Sequence, residues 1–444
     1  MPMRRSDVVW VPPAQADLPP STREWLARAH AHLGHLLPEY DPSVLLTEDL
    51  IDPSGAPVDV MRHFGRTGQR LRTLRDNWHG IAHSAQAIGG GEAVDEPAPP
   101  WPGFEELWIP IRDGLALYGR LGLAEDGGRV LRADCIVILP GLFGDLSILR
   151  TRDLAMALRS AGFHALALDG RAHGRTEARY PDIYCNFGVL ETIDLLHVSE
   201  WLERQPFVRR TGLVGFCWGA NLGLLAAWYD GRPERHRSIT EALAARLPEV
   251  SPRRHFRAGV LAFASVLHFE ELADQLEKPR AYLMDPILAT MQETIRRRAG
   301  RKHHPERTHS LRKLIEFEFA RSELDYPDAV RDGYHFLRFK PYRGEPAGAK
   351  LAEARIPVLI VHAVNDPLCP AQDVADLMAG VDNSNVAAMI LAGGGHVGFA
   401  PYARAYYFSL ILNFFDPLCG AAAAGTPGKP GDAWTAAAPA ARID

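Results

Sequence analysis

The chain has 444 residues, 47% hydrophobic and 23% charged, with a formal net charge of −5. That length and composition describe a globular protein with a substantial core, either one large domain with appendages or two domains. The acidic balance gives no ground for a nucleic-acid partner. The five cysteines, at 135, 185, 217, 369 and 419, are odd in number and show no CxxC or Cys/His spacing, which argues against a disulfide framework or a zinc site.

Residues 1–20 are Pro-rich and carry Arg4 and Arg5 but no apolar run, so they do not read as a secretory signal. Ser21, Thr22, Arg23 and Glu24 form a capping-box pattern. It opens a helix whose stripe is Trp25, Leu26, Ala29, Leu33, Leu36 and Leu37, with Pro38 as its stop. A second amphipathic helix is expected over residues 58–83, with Phe64, Leu71, Leu74, Trp78 and Ile81 on one side. Its interleaved Arg62, Arg66, Arg70 and Arg75 read as a solvated face. His30, His32 and His35 have no carboxylate or cysteine patterned with them and do not read as metal ligands. A Gly/Pro-rich linker over 89–100 closes this region, so residues 1–100 are expected to be a helical extension that packs on the rest.

After the linker the pattern changes. Leu107 to Ile111 and Leu115 to Gly119 flank Arg112-Asp113-Gly114 as a hairpin. Apolar strand runs follow at 135–139, 165–168, 213–216, 258–265, 358–363 and 386–391. Helical stretches are expected at 152–161, 192–204 and 402–415. Strands alternating with helices imply a mostly parallel α/β sheet covered on both faces. Residues 267–340 break the alternation with helical patterning alone, including Leu276, Tyr282, Leu283, Ile287, Leu288 and Met291. This stretch is expected to be a helical cap inserted between core parts 101–266 and 341–418. The Ala/Gly/Pro-rich tail, 419–444, is expected to be disordered.

The most informative stretch is the strand at 213–216 running into Gly215-x-Cys217-x-Gly219 and then an apolar helix. This is the nucleophile-elbow pattern with cysteine in the serine position. The two glycines fit a turn in which the chain passes close to itself. The following helix puts its positive end beside the sulfur, which lowers a thiol pKa. The same uncharged stretch, 211–229, approaches bilayer-spanning length, but its glycines and Asn221 argue against a membrane helix.

Ligands bind such sheets beyond the carboxyl ends of the strands, and four further loops there carry candidates. Pro140-Gly141-Leu142-Phe143-Gly144 suits an oxyanion-hole loop, with the N–H groups of Leu142 and Trp218 as donors. Asp366, after the strand 358–363, can orient an imidazole, and His396 lies in the glycine-rich loop after 386–391. His173, in Asp169-Gly170-Arg171-Ala172-His173-Gly174, is a rival base, while Asp169 and Arg171 read as loop braces. The chain order of nucleophile, acid and histidine favours Cys217, Asp366 and His396.

With these residues in view, the chain resembles the α/β-hydrolases, and more narrowly the YheT-like (abhydrolase-domain) esterases. The resemblance rests on Pro140-Gly141-Leu142 with Gly144, on Arg171, Gly174, Tyr184, Gly188 and Asp194, and on Gly215-Phe216-Cys217-x-Gly219-x-Asn221. It rests further on Asp366-Pro367 and on Gly394-Gly395-His396-Val397-Gly398-Phe399. It covers about residues 108–416 and implies an ester hydrolase of α/β-hydrolase fold. The chain departs from that pattern in Cys217, where those esterases carry serine, and in Ala220, where they carry glycine. An elbow cysteine is shared with dienelactone hydrolases, which are shorter and lack the cap, and with polyhydroxyalkanoate synthases, which lack the Gly-His-Val-Gly-Phe ending. The expected activity is hydrolysis of a small-molecule carboxylic ester or thioester in a reducing cytoplasm, with no cofactor or metal. Acyl transfer and a non-catalytic binding role are the alternatives.

Overall fold

In the computed structural model, residues 45–64, 80–85, 99–232, 239, 241–248, 254–277, 286–322 and 349–419 are described. The helix expected over 21–37, most of the helix over 58–83, most of the linker, parts of the cap and the tail after Cys419, which itself ends a helix, lie outside these residues.

Runs such as Ala133–Leu139, Val358–Ala363 and Val386–Leu391 are buried along their whole length. Near-continuous apolar runs of this kind suit strands covered on both faces. The strands, numbered along the chain, are β1 (Leu45–Leu46), β2 (Glu105–Pro110), β3 (Ala116–Gly122), β4 (Glu125–Asp126), β5 (Arg129–Val130), β6 (Ala133–Leu139), β7 (His164–Leu168), β8 (Val208–Phe216), β9 (Val260–Phe263), β10 (Val358–Ala363) and β11 (Val386–Leu391). All but the β4–β5 pair join one nine-stranded sheet in the order β1-β11-β10-β9-β8-β6-β7-β3-β2. The pairings from β7 through β6, β8, β9 and β10 to β11 are parallel. The β2–β3, β3–β7 and β1–β11 pairings are antiparallel.

The main helices are α1 (Leu149–Ser160), α2 (Gly174–Arg179), α3 (Val189–Glu203), α4 (Trp218–Gly231), α5 (Phe269–Leu276), α6 (Pro286–Arg301), α7 (Leu311–Phe319), α8 (Gln372–Met378) and α9 (Phe399–Cys419). The crossover from β6 to β7 through α1 and that from β7 to β8 through α3 run in opposite directions across the sheet. Right-handed crossovers therefore put α1 and α3 on opposite faces, and the doubly covered, mostly parallel sheet follows. The order reverses at β6, so the ends of β6 and β8 open a crevice between them, the position where such sheets bind ligands.

The described part of the N-terminal region is not only helical. β1 pairs antiparallel with the edge strand β11, Leu45 opposite Ile390 and Leu46 opposite Met389. This covers an edge whose backbone groups would otherwise stay open. Two leucines are too short a run to give a strand periodicity, so only the pairing reveals them.

Helices α5, α6 and α7 occupy the stretch that interrupts the alternation, and they pack on loops at the carboxyl edge of the sheet. Arg298 of α6 is 1% exposed and binds both carboxylate oxygens of Glu318 of α7, at 2.5 and 2.7 Å. It also donates to the carbonyl of Ala172 at 2.8 Å and lies over the Phe143 ring. Glu318 accepts the Cys185 N–H at 2.7 Å, and Lys302 donates to the carbonyls of Pro181 and Ile183. Removing one member of such a buried pair strands the other charge. Glu318→Ala is therefore expected to destabilise the protein by about 3 kcal/mol, measured as a lower urea midpoint. Glu318→Gln should cost less, because it keeps hydrogen-bonding capacity.

Candidate active site

β8 ends at Phe216, and the chain turns into α4 through Cys217, whose backbone sits at φ 53°, ψ −117°. A side chain at positive φ is strained and persists only where its surroundings hold it. Here the Cys217 N–H donates to Phe263 O at 2.9 Å, and the Cys217 carbonyl accepts from the N–H groups of Ala220 and Asn221. A Cβ at Gly219 would overlap the carbonyl oxygen of Pro140, and one at Gly215 would overlap the backbone of Gly219. Both glycines are thus required by backbone contacts that no side-chain rotation can relieve. Asn221 ties α4 to the loop after β9, donating to Val266 O and accepting from Val266 N–H, each at 2.9 Å.

The loop after β6 runs alongside the elbow. A Cβ at Gly141 would stand 3.5 Å from Cys217 Sγ, so glycine leaves that side of the sulfur open. The backbone N–H groups of Leu142 and Trp218 both help to hold the Cys217 thiol pKa down. Backbone N–H groups from two separate loops that act on one side chain favour negative charge there. Phe143 follows at φ 58°, and its N–H donates to Nε2 of His173 at 3.2 Å. The other ring nitrogen of His173 donates to Arg171 O at 2.5 Å. Burial, reinforced by the nearby Arg298 cation, holds His173 down to about 4, hence neutral. Both ring nitrogens are engaged in bracing the loop, which leaves no nitrogen for proton transfer. Asp169 also braces, accepting from the N–H groups of Leu146 and Arg175 at 2.8 and 2.9 Å. Arg171 forms a two-point pair with Asp194 at 2.8 Å.

Asp366 and His396 come together from the ends of β10 and β11. His396 Nδ1 donates to Asp366 Oδ2 at 2.9 Å, with both side chains buried. The other carboxylate oxygen accepts the N–H groups of Leu368 and Cys369 at 2.8 and 2.9 Å. Burial opposes the Asp366 charge, but the His396 and His362 rings and these N–H groups outweigh it and hold the carboxyl down at about 2. Burial likewise opposes the His396 cation, yet Asp366 and Cys217 raise its pKa well above the ordinary histidine value. Cys217, at the elbow, feels the His396 charge. Burial pushes its thiol up, but the His396 charge and the N–H groups of Trp218 and Leu142 bring it below the ordinary thiol value; the other ring nitrogen, His396 Nε2, is buried and makes no hydrogen bond among the described residues, so the ring acts on the sulfur through its charge. The resulting electrostatics favour a thiolate–imidazolium pair.

Three neighbours of this group escape a reading of the sequence. Cys369 stands three residues after Asp366, and its sulfur belongs to a cluster with Asp366 and His396 whose ligand atoms lie within 4.8 Å of one another. Burial first, and then the Asp366 charge, push its thiol up to about 12. The Asp366 carboxylate in this cluster already accepts three N–H bonds, from Leu368, Cys369 and His396. The guanidinium of Arg150 stacks over the Phe216 ring at 4.5 Å and interacts electrostatically with Cys217. Ser84 accepts the backbone N–H of His396. The spacing of Cys369 from Asp366 was the one available signal; the other two neighbours join distant segments and leave none.

This arrangement, at the carboxyl edge of a sheet with this strand order, defines a class of protein. Residues 136–407, more than half of the chain, match the alpha/beta hydrolase family, and the chain belongs to that family. Comparison with curated proteins gives no match. Among solved structures, an esterase of Pyrococcus furiosus, Pf2001, is similar at 15% identity and a TM-score of 0.46, covering 73% of this chain and 97% of that one. The acylaminoacyl peptidase of Pyrococcus horikoshii is similar at 14% identity and a TM-score of 0.41, covering 71% of this chain and 41% of that one. Est1E of Butyrivibrio proteoclasticus is similar at 15% identity and a TM-score of 0.39, covering 69% and 98%. Among the described residues, no helix is long and apolar enough to cross a membrane.

Proposed function

We propose that this protein hydrolyses a small-molecule carboxylic ester or thioester through an acyl-thioester on Cys217. The Cys217 thiolate attacks the acyl carbon, and the oxyanion that forms is held by the N–H groups of Leu142 and Trp218. As the intermediate collapses, His396 gives a proton to the departing alcohol or thiol. It then takes a proton from water, which attacks the thioester and releases the acid and the free thiol. Asp366 holds the ring with Nδ1 protonated and balances its charge. The motif likeness to YheT-like esterases, with cysteine replacing serine, supports this reading.

The elbow geometry carries the choice of nucleophile: Cys217 is held at φ 53° between β8 and α4, where backbone contacts require Gly215 and Gly219. Two thiols interact with His396, and their environments push them apart: Cys217 is lowered, while Cys369 is raised to about 12. Only the first is suited to exist as thiolate near neutrality. The test is brief exposure of the intact protein to an activated aryl ester, followed by mass measurement and peptide mapping. One acyl group per chain on Cys217 is expected, and an adduct on Cys369 would reverse the assignment. Diversion of product to a new ester when an alcohol is added would move the reading to acyl transfer.

A further inference from the structure

The N-terminal segment reaches into the candidate site. Helical residues 80–85 lie against the loops that carry Asp366 and His396. Ser84 is fully buried; its hydroxyl donates to Gly80 O at 2.6 Å and accepts the backbone N–H of His396 at 2.7 Å. Because the hydroxyl proton is committed to Gly80, its lone pair is what meets His396. The preceding amide, Gly395 N–H, donates to Asn365 Oδ1 at 2.9 Å, in the residue before Asp366. Two successive backbone amides of the histidine loop are therefore held by different segments, one by the acid loop and one by the N-terminal helix.

The packing leaves no slack. A Cβ at Gly80 would overlap the carbonyl oxygen of Asn365, and one at Gly395 would stand 2.6 Å from Ser84 Oγ. The same N-terminal region is anchored twice more on this half of the sheet. The Ala388 N–H of β11 donates to Thr47 Oγ1 at 2.9 Å. Gln372, at the start of α8, accepts the Val60 N–H at 3.0 Å and donates to Val58 O at 2.8 Å.

We propose that the N-terminal segment is part of the catalytic apparatus, and that Ser84 is a positioning residue that sets His396 toward Cys217 by fixing its backbone. The proposal rests on the assignment of His396 as the base. A small rotation of the histidine backbone swings the ring, and the proton-transfer distance tolerates little of that.

The experiment compares full-length wild type, Ser84→Ala and Ser84→Thr. The pH dependence of iodoacetamide alkylation at Cys217, read by peptide mass mapping, reports the pairing of Cys217 with His396 without any turnover. Steady-state ester hydrolysis is measured alongside. Ser84→Ala is expected to move the alkylation midpoint upward by about 1 pH unit. It should also lower kcat about tenfold with KM unchanged, the scale of one net hydrogen bond. Ser84→Thr restores the hydroxyl and adds one methyl to a tight site; it should recover the alkylation midpoint and part of kcat. Should Ser84→Ala not fold, Ser84→Cys supplies a weaker acceptor and an intermediate shift. An unchanged profile and kcat in Ser84→Ala, or a general loss of activity with an unchanged profile and no recovery in Ser84→Thr, overturns the proposal. Turnover by Cys217→Ala would instead defeat the functional reading, and the alkylation profile would still decide the role of Ser84.

Discussion

Cys217→Ala is expected to lose at least about 10⁴-fold in kcat on any ester the protein turns over, because removing a nucleophile disables the whole catalytic unit. The residual rate would come from the paired N–H groups of Leu142 and Trp218 and from substrate binding. Cys217→Ser should keep part of the activity. A hydroxyl fits where the larger sulfur fitted, and the surrounding motifs match esterases that use serine. It would be slower than cysteine, because its proton is not surrendered to His396 in the resting state, whereas the electrostatics around Cys217 favour the thiolate. Alkylation of the thiol should inactivate the wild type, and reductant should reverse only the mildest oxidation. Steady-state rates with aryl acetates and longer acyl esters make the comparison. Wild-type turnover by Cys217→Ala, or an acyl adduct on Cys135, Cys185, Cys369 or Cys419, would make Cys217 a structural cysteine and end the elbow reading.

The parts of this molecule visible in the sequence are those made by local pattern. The hairpin around Arg112-Asp113-Gly114, the apolar strand runs and the interruption after β9 all depend on residues within one element. Boundaries shift where tertiary contacts extend an element. The closing helix is expected from Tyr402; a helical turn from Phe399 precedes it, and non-helical backbone at Ala403 (φ −150°, ψ 75°) separates that turn from the main helix. α3 starts at Val189, three residues before the expected point, because Gly188 at φ 104° and the Glu191 carboxylate cap its first turn. What the sequence conceals is long-range. The bond from Ser84 to His396 spans 312 residues, and β1 meets β11 across a similar distance. A buried serine near the end of an amphipathic stretch carries no mark of its partner. His173 is concealed in the opposite sense. It has the residue type and sheet edge of a base, and only the bonds to Phe143 and Arg171 commit both its nitrogens.

His396→Ala should lose at least ~100-fold in kcat/KM, the usual scale of general acid–base catalysis, and its pH behaviour gives the sharper test. In the wild type the Cys217 pKa is lowered, so the thiolate is present above that lowered value and is lost as pH falls through it. Without His396 the main opposing influence disappears, while the burial that pushes the thiol up remains. The variant's thiol should therefore titrate above the ordinary thiol range, and alkylation near neutral pH should slow as the thiolate becomes scarce. The N–H groups of Leu142 and Trp218 and the start of α4 still favour the anion, so the shift should stop short of that of a fully buried, unpartnered thiol. Asp366→Asn should act in the same direction and less strongly. It removes the charge that raises the His396 pKa and leaves the ring in place. A His396→Ala protein whose alkylation midpoint and turnover both match the wild type would show that the imidazole does not pair with the thiol. Arg150 also acts on Cys217, and its replacement would be the next measurement.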